Sequence, residues 1–265
     1  MLGRIIAEAH ERAAAVRARK EGVAELERAA ANASSVPSFS DALGGAHVAV
    51  IAEVKRRSPS KGEINSALSA ADQARAYAAG GAAAVSVLTE PAHFGGELGD
   101  LERARTAGVP LLRKDFHVDE VQLLEARAFG ASAALLIVRA LAPEALPRLA
   151  RFAAGIGLDV LVEVHDERDL ERALALGDGI IGVNNRDLET LAIDPAVGDR
   201  LLPRIPRSCI AVAESGVREA GDVARAAAAG ADAVLVGSVL SAAGDPTAAV
   251  RALASVPRTR GARGG

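Results

Sequence analysis

Sulfur and aromatic side chains are scarce in this 265-residue chain: one cysteine, one methionine, one tyrosine, five phenylalanines and no tryptophan. The lone Cys209 excludes an intramolecular disulfide and any cysteine-cluster metal site; heading an apolar run, it reads as a buried, inert thiol. The five histidines, at positions 10, 47, 93, 117 and 165, show no metal-ligand spacing, so no metal is expected. Long apolar runs are missing too. The longest charge-free stretch, Ala76 to Thr89, spans 14 residues and carries Gly and Ser, against the ~20 apolar residues that a membrane helix needs. No charge of one sign prevails: 31 bases against 34 acids give a net charge of −3, which argues against nucleic acid as a partner. The first twenty residues carry charges throughout and are not expected to act as a signal peptide. With half of its residues hydrophobic, a chain of this length buries a large core without a disulfide or metal, and a cytoplasmic globular protein is expected.

What is present is a repeat. Eight short apolar runs recur along the chain, at 47–52, 84–88, 109–112, 134–138, 160–162, 180–183, 210–213 and 233–236. Each is too short for a helix and apolar at consecutive positions, as a strand covered on both faces should be. Between them lie segments of helical spacing that open on acids or close on glycine, at 70–80, 118–130, 166–177 and 217–230. Eight strand–helix units in this length predict an α/β fold, a closed (β/α)8 TIM barrel in one domain, with an open doubly wound sheet as the alternative. Residues 1–46 read as an N-terminal helical extension packed on the barrel, 47–256 as the barrel, and 257–265 as a disordered tail.

The chemistry gathers where the apolar runs end. Run one ends in Glu53-Val54-Lys55, run three in Arg113-Lys114-Asp115 and run five in Glu163-Val164-His165. Run six ends in Asn184-Asn185-Arg186, run seven in Glu214-Ser215-Gly216 and run eight in Gly237-Ser238. In a parallel barrel these C-terminal ends open on one face, and strand side chains alternate. Glu53, Lys55, Lys114, Glu163, Asn184 and Glu214 are therefore expected to share the barrel mouth. Charged loop ends are ordinary, but five of eight strands ending in a charge that continues the buried face suggest a site in which ammoniums and carboxylates shift one another's pKa values. Ser215-Gly216 and Gly237-Ser238, each read as leading into a helix, suggest an anion site. The loop Ser58-Pro59-Ser60-Lys61-Gly62 is placed to close over it. His165 is left open, either joining the site or beginning a helix. Gly155-Ile156-Gly157 precedes a strand where a dinucleotide fingerprint would follow one, and no nucleophile elbow is present.

Taken in order, these motifs resemble the indole-3-glycerol phosphate synthase family. The stretches that carry the resemblance are 51–62, Ser86-Val-Leu-Thr-Glu90 with Phe94-Gly-Gly96, Leu112-Arg-Lys-Asp-Phe116, 119–127, 161–165, 181–188, Ala213-Glu-Ser-Gly216 and Val234-Leu-Val-Gly237. The resemblance spans about residues 1–255. It implies decarboxylating, dehydrating ring closure of 1-(2-carboxyphenylamino)-1-deoxyribulose 5-phosphate, with no cofactor. It implies Lys114 as general acid, Glu163 as its acid/base counterpart and Lys55 on the substrate carboxylate or phosphate, with Glu53, Asn184 and Glu214 orienting lysines and hydroxyls. Phosphate would rest on Ser215, Gly216, Gly237 and Ser238 near Ser58. Phe94, Phe116 and Leu135 match ring-pocket positions, and Arg186 a polar anchor. Arg57, Glu97 and His117 depart from the family pattern and are expected beside mobile loops. The rival readings are a related phosphate-binding barrel, such as a phosphoribosyl-anthranilate isomerase-like enzyme, or a non-catalytic scaffold. A phosphorylated small molecule is the expected partner of a monomer, with at most weak association with other enzymes of tryptophan biosynthesis.

Overall fold

The computed structural model describes residues 1–19, 21–33 and 36–259. Eight parallel strands form its centre: β1 (Ala49–Val54), β2 (Ala84–Leu88), β3 (Leu111–Lys114), β4 (Ala133–Ile137), β5 (Asp159–Val164), β6 (Ile180–Asn184), β7 (Ile210–Glu214) and β8 (Ala233–Val236). Each pairs with its sequence neighbours, and β1 pairs with both β2 and β8, so the sheet closes into a barrel without a free edge. The eight apolar runs are these eight strands, shifted by at most two residues, and the open sheet is excluded. The shifts have a cause. β1 and β3 continue through Glu53 and Lys114, because a charge that points into the mouth ends the apolar pattern without ending the backbone ladder.

Alternation sorts the side chains. Ile51, Leu112, Leu135, Leu161, Val212 and Leu235 fill the barrel interior, which Phe39 and Leu43 plug at its lower end. Val50, Ala52, Leu111, Leu136, Val162 and Ala213 face outward under the helices. The residue two beyond the last inward apolar side chain also faces inward. Ile51 therefore leads to Glu53 and Lys55, Leu112 to Lys114, Leu161 to Glu163, and Val212 to Glu214.

Before β1 come α1 (Leu2–Arg17), α2 (Gly22–Ala31) and α3 (Phe39–Ala42). The outer layer is α4 (Ala70–Ala79), α5 (Pro91–Phe94), α6 (Gly99–Ala104), α7 (Glu120–Ala128), α8 (Ala145–Gly155), α9 (Glu167–Leu174), α10 (Ala196–Leu201), α11 (Ala220–Ala228), α12 (Ser238–Ser241) and α13 (Pro246–Ala254). Acids start several of these helices: the Asp166 side chain accepts from Asp169 N at the head of α9, and Asp119 opens α7 with a capping box to Gln122. No helix among the described residues is long and apolar enough to cross a membrane.

The expected tail needs a correction at its start. Pro257 bridges His47, and Arg258 N donates to Ala46 O, so the chain is ordered past 256. The remainder of that tail, 260–265, lies outside the described residues.

The N-terminal extension does more than pack on the barrel. Leu2, Ile5, Ala9 and Ala13 form the buried stripe of α1 at helical spacing. Arg12 extends from this helix to Asp115 (3.1 Å) and Glu90 (3.5 Å), carboxylates that are almost fully buried at the ends of β3 and β2. Removing one partner of a buried ion pair costs more than the pair contributes, because the other charge is left behind. Arg12→Ala is therefore expected to lower stability by about 1–3 kcal/mol, read as a lower urea midpoint. An unchanged midpoint would show that Arg113, which also bonds Asp115, suffices alone.

Candidate active site

Lys114 sits at the centre of the barrel mouth. Its Nζ donates to Glu163 Oε2 at 2.9 Å and lies 3.3 Å from Glu214 Oε2. Asn184 Nδ2 donates to the other Glu163 oxygen at 3.1 Å, while its Oδ1 accepts from Arg186 N at 3.0 Å, which fixes the orientation of the amide. On β1, Lys55 Nζ donates to Glu53 Oε1 at 3.2 Å. The β1 end is held from outside: Lys55 N donates to Ser241 Oγ, and the Tyr77 hydroxyl donates to Glu53 O.

Two glycines make room for this cluster. A Cβ on Gly182 would lie 2.1 Å from Glu214 Oε1, and one on Gly237 would lie 2.3 Å from Glu53 Oε1. Each carboxylate occupies space that a side chain on the neighbouring strand would otherwise take.

Burial and charge set the protonation states. Burial opposes the charge on Lys114, but Glu163, Glu214 and Glu53 outweigh it and hold its pKa above the usual lysine range. Burial alone would raise Glu163, yet Lys114 and His165 hold its carboxyl well below the usual range. Glu214 goes the other way: burial, together with the charge of Glu163, outweighs Lys114 and pushes it up to about 8. One ammonium thus faces two carboxylates whose pKa values are pushed in opposite directions, the separation that acid/base chemistry needs. Glu214 Oε1 is buried and has no hydrogen-bond partner among the described residues.

The other expected residues surround the same cavity of about 640 Å³. Phe94 and Phe116 meet at a centroid distance of 6.4 Å, Lys55 Nζ lies 5.7 Å over the Phe94 ring, and Leu135 lines the wall below. Arg186 reaches the cavity with its guanidinium tied to Leu191 O at 2.8 Å. Ser58, Ser215, Gly216, Gly237 and Ser238 line the same cavity, as do Lys55, Lys61 and Arg218. Ser215 and Gly216 are both left-handed, with φ of 62° and 94°. For a serine that conformation is uncommon, and Asn185 Nδ2 holds it through Ser215 O at 3.0 Å. One expectation holds only in part: Gly237-Ser238 leads straight into α12, but Ser215-Gly216 does not lead straight into α11. α11 starts only at Ala220, four residues after Gly216, and α12 is a single turn. An anion here would depend on turn amides and nearby cations, not on a long helix dipole.

Several cavity residues escape sequence reasoning. Leu2 and Ile5 of α1, and Leu188, Leu191 and Ile193 of the loop after β6, form an apolar roof. Nothing in an amphipathic helix distinguishes a cavity wall from a core. Gly182 did carry a signal, since a glycine inside an apolar strand marks a close approach. Of the three departures, Arg57 is exposed beside Gly95 and Glu97 pairs with Arg103. His117 lies in the loop between β3 and α7 but is buried there, 2.8 Å from Leu135 O through Nδ1. Burial and Arg113 push its pKa down to about 3, so it is neutral. Glu8, Glu90 and His93 are the one described group close enough to hold a metal, but Glu90 accepts from three backbone amides of α5 and Glu8 bonds His93.

A family model described as indole-3-glycerol phosphate synthase matches residues 2–253. Indole-3-glycerol phosphate synthase 2 of Streptomyces coelicolor is 48% identical over 254 residues, 96% of this chain and 98% of its own. The indole-3-glycerol phosphate synthase of Streptomyces griseus is 50% identical over 244 residues, 91% of each chain. Among solved structures, a 3-hexulose-6-phosphate synthase superposes with a TM-score of 0.59 at 16% identity, covering 78% of this chain and 99% of that one. That last likeness shows the fold alone.

Proposed function

The chain belongs to the indole-3-glycerol phosphate synthase family, and we propose that Lys114, Glu163 and their neighbours at the barrel mouth carry the family's reaction. That reaction, a step of tryptophan biosynthesis (EC 4.1.1.48), turns 1-(2-carboxyphenylamino)-1-deoxyribulose 5-phosphate into indole-3-glycerol phosphate, carbon dioxide and water. The observation that carries the residue roles is the position of the Lys114 ammonium between Glu163 at 2.9 Å and Glu214 at 3.3 Å in a buried mouth.

As the aromatic carbon attacks the ketone carbon, negative charge builds on the ketone oxygen. The Lys114 ammonium faces that charge and donates the proton. Loss of carbon dioxide then returns an electron pair to the ring and restores aromaticity. In the dehydration, Glu163 takes the proton released as the double bond forms and delivers it to the new hydroxyl, which leaves as water, while Lys114 regains its proton from solvent. Lys55, poised beside Glu53, holds the substrate carboxylate or phosphate. Asn184 fixes the Glu163 carboxylate, and Glu214 Oε1 is free to bond a substrate hydroxyl. The ring sits between Phe94, Phe116 and Leu135, anchored by Arg186. Every proton transfer is assigned to a side chain, and the net reaction is redox-neutral, so no cofactor enters the scheme.

The phosphorylated end of the substrate rests at Ser215, Gly216, Gly237 and Ser238, with Ser58 and Lys55 beside it. This remote contact holds the near-attack geometry. Ser215→Asp is expected to raise KM and the inhibition constant of inorganic phosphate at least about tenfold through charge repulsion, with kcat far less affected. Aspartate tolerates the left-handed backbone there, so the variant tests charge and not strain. Unchanged phosphate affinity would move the anion site elsewhere. A single chain acting in the cytoplasm fits the surface: among the described residues only Met1 and Val239 are large, hydrophobic and exposed. The direct test is indole fluorescence after mixing the protein with substrate, with Glu163→Gln run in parallel; a trace that does not depend on Glu163 would remove its assigned role.

A further inference from the structure

Behind the proposed acid/base pair, the structure assigns a positioning role to His165, whose buried ring lies between Glu163 and Asp169 and holds the Glu163 carboxylate in line for proton transfer. This rests on the reading of Glu163 given above. His165 follows Glu163 by two residues, so it leaves the strand on the same side. Its side chain is 3% exposed, with Nε2 at 3.3 Å from Glu163 Oε1 and Nδ1 at 3.6 Å from Asp169 Oδ2. Neither nitrogen has a hydrogen-bond partner within bonding geometry among the described residues. Both ends of a buried imidazole thus face carboxylates.

Asp169 is fixed independently of the ring. Its Oδ2 accepts from His165 N at 3.1 Å and from Arg139 Nε at 3.1 Å, and its own N–H is capped by Asp166 at 2.9 Å. Glu163 gives Oε2 to Lys114 and shares Oε1 between Asn184 and His165. The result is a row, Arg139, Asp169, His165, Glu163, Lys114, in which positive and negative groups alternate from the turn after β4, through α9 and β5, to β3.

Only an imidazolium has two N–H groups. A neutral ring serves one carboxylate and turns a lone pair on the other. Burial opposes the charge on the ring, but Asp169 and Glu163 outweigh both burial and Arg139 and push its pKa up to about 9. A histidine raised in this way contributes its stabilisation fully below the unfolded value near 6.5 and loses it as the pH rises through 9. Above that point the ring must release one carboxylate, and Glu163 loses its partner on the Oε1 side. Lys114 stays charged throughout this window. Glu214, pushed up to about 8, contacts Glu163 as well as Lys114, so its titration is a separate limb that Asp169→Asn leaves in place.

The test is the pH profile of kcat, read by indole fluorescence, in wild type, His165→Gln, His165→Phe and Asp169→Asn. Wild type is expected to lose activity on an alkaline limb near pH 9. Asp169→Asn removes the charge that stabilises the imidazolium and should move that limb about one pH unit toward acid, leaving the Glu214 titration in place. His165→Gln, whose amide reaches only one carboxylate, should lose the limb and fall about tenfold in kcat, with KM changed less than about twofold. His165→Phe should fall further, because it offers no donor. Ring ¹⁵N shifts of wild-type protein at pH 7 should show an imidazolium. A neutral ring at pH 7, or a limb unmoved in Asp169→Asn, overturns the assignment whether or not the other variants fold. If Glu163→Gln stays active, the role of Glu163 fails; if it is inactive while the limb stays put, only the role of His165 fails.

Discussion

Lys114→Ala is expected to lower kcat by at least about 10³-fold while binding of inorganic phosphate stays within a few-fold of wild type. The magnitude follows from two lost contributions. A positioned acid is worth about 10²–10⁴ in rate, and a charge aimed at a developing oxyanion in a dry pocket adds to it. No neighbour replaces it: Lys55 is committed to Glu53 at 3.2 Å and sits over Phe94. The variant also leaves ionised Glu163 without its cation, a loss of about 3–5 kcal/mol if that carboxylate stays charged. Protonation of Glu163 will relieve part of it and remove the proposed base as well. Lys114→Arg separates the effects, since a guanidinium keeps the charge but does not give up its proton. It should fold nearly as well as wild type yet remain at least about 10²-fold slow. Wild-type turnover in either variant ends the general-acid assignment; an active arginine variant alone would leave Lys114 a purely electrostatic part.

Gly182→Ala should cost about 10² in kcat although it adds one methyl group and touches no substrate. The added Cβ would stand 2.1 Å from Glu214 Oε1 and 3.2 Å from Leu161 Cδ1. The carboxylate has to retreat by about 1 Å or more, which takes it out of reach of Lys114, now 3.3 Å away. KM should change little, because neither the phosphate corner nor the ring pocket moves. The cause is tested by a double-mutant cycle with Glu214→Ala. If the alanine acts by displacing Glu214, the second substitution adds little to the first; if the effects add, the methyl group acts on the barrel itself.

These two residues also mark how far the sequence was legible. Lys114 was readable in place, because Leu112 two positions earlier is apolar and strand alternation carries the inward face through to the lysine. The same rule located Glu53, Glu163 and Glu214. It placed His165 beside Glu163 too, but left its role open, since a histidine after a strand starts a helix as readily as it enters a site. In the fold, its backbone does the one, through Asp169, and its ring does the other. Of the two helix starts expected at the anion site, Gly237-Ser238 heads α12 directly, whereas the residues between Gly216 and Ala220 form a loop before α11.

By itself, then, the sequence determined the eight strands, their parallel direction and which side chains face the mouth, while closure over the open sheet came with the pairing of β1 to β8. The first three are local properties: a period of two along each strand, and helices too long to connect anything but parallel neighbours. Only the tertiary structure decided what the mouth charges do to one another. That the pKa of Glu214 is raised and that of Glu163 lowered depends on which carboxylate Lys114 meets at 2.9 Å and which at 3.3 Å, with burial penalising both charges. The roof of Leu2 and Ile5, and the space opened by Gly182 and Gly237, were likewise set by residues distant in the chain. Electrostatic and steric terms change over ångströms between strands, a distance that spacing along a chain does not encode.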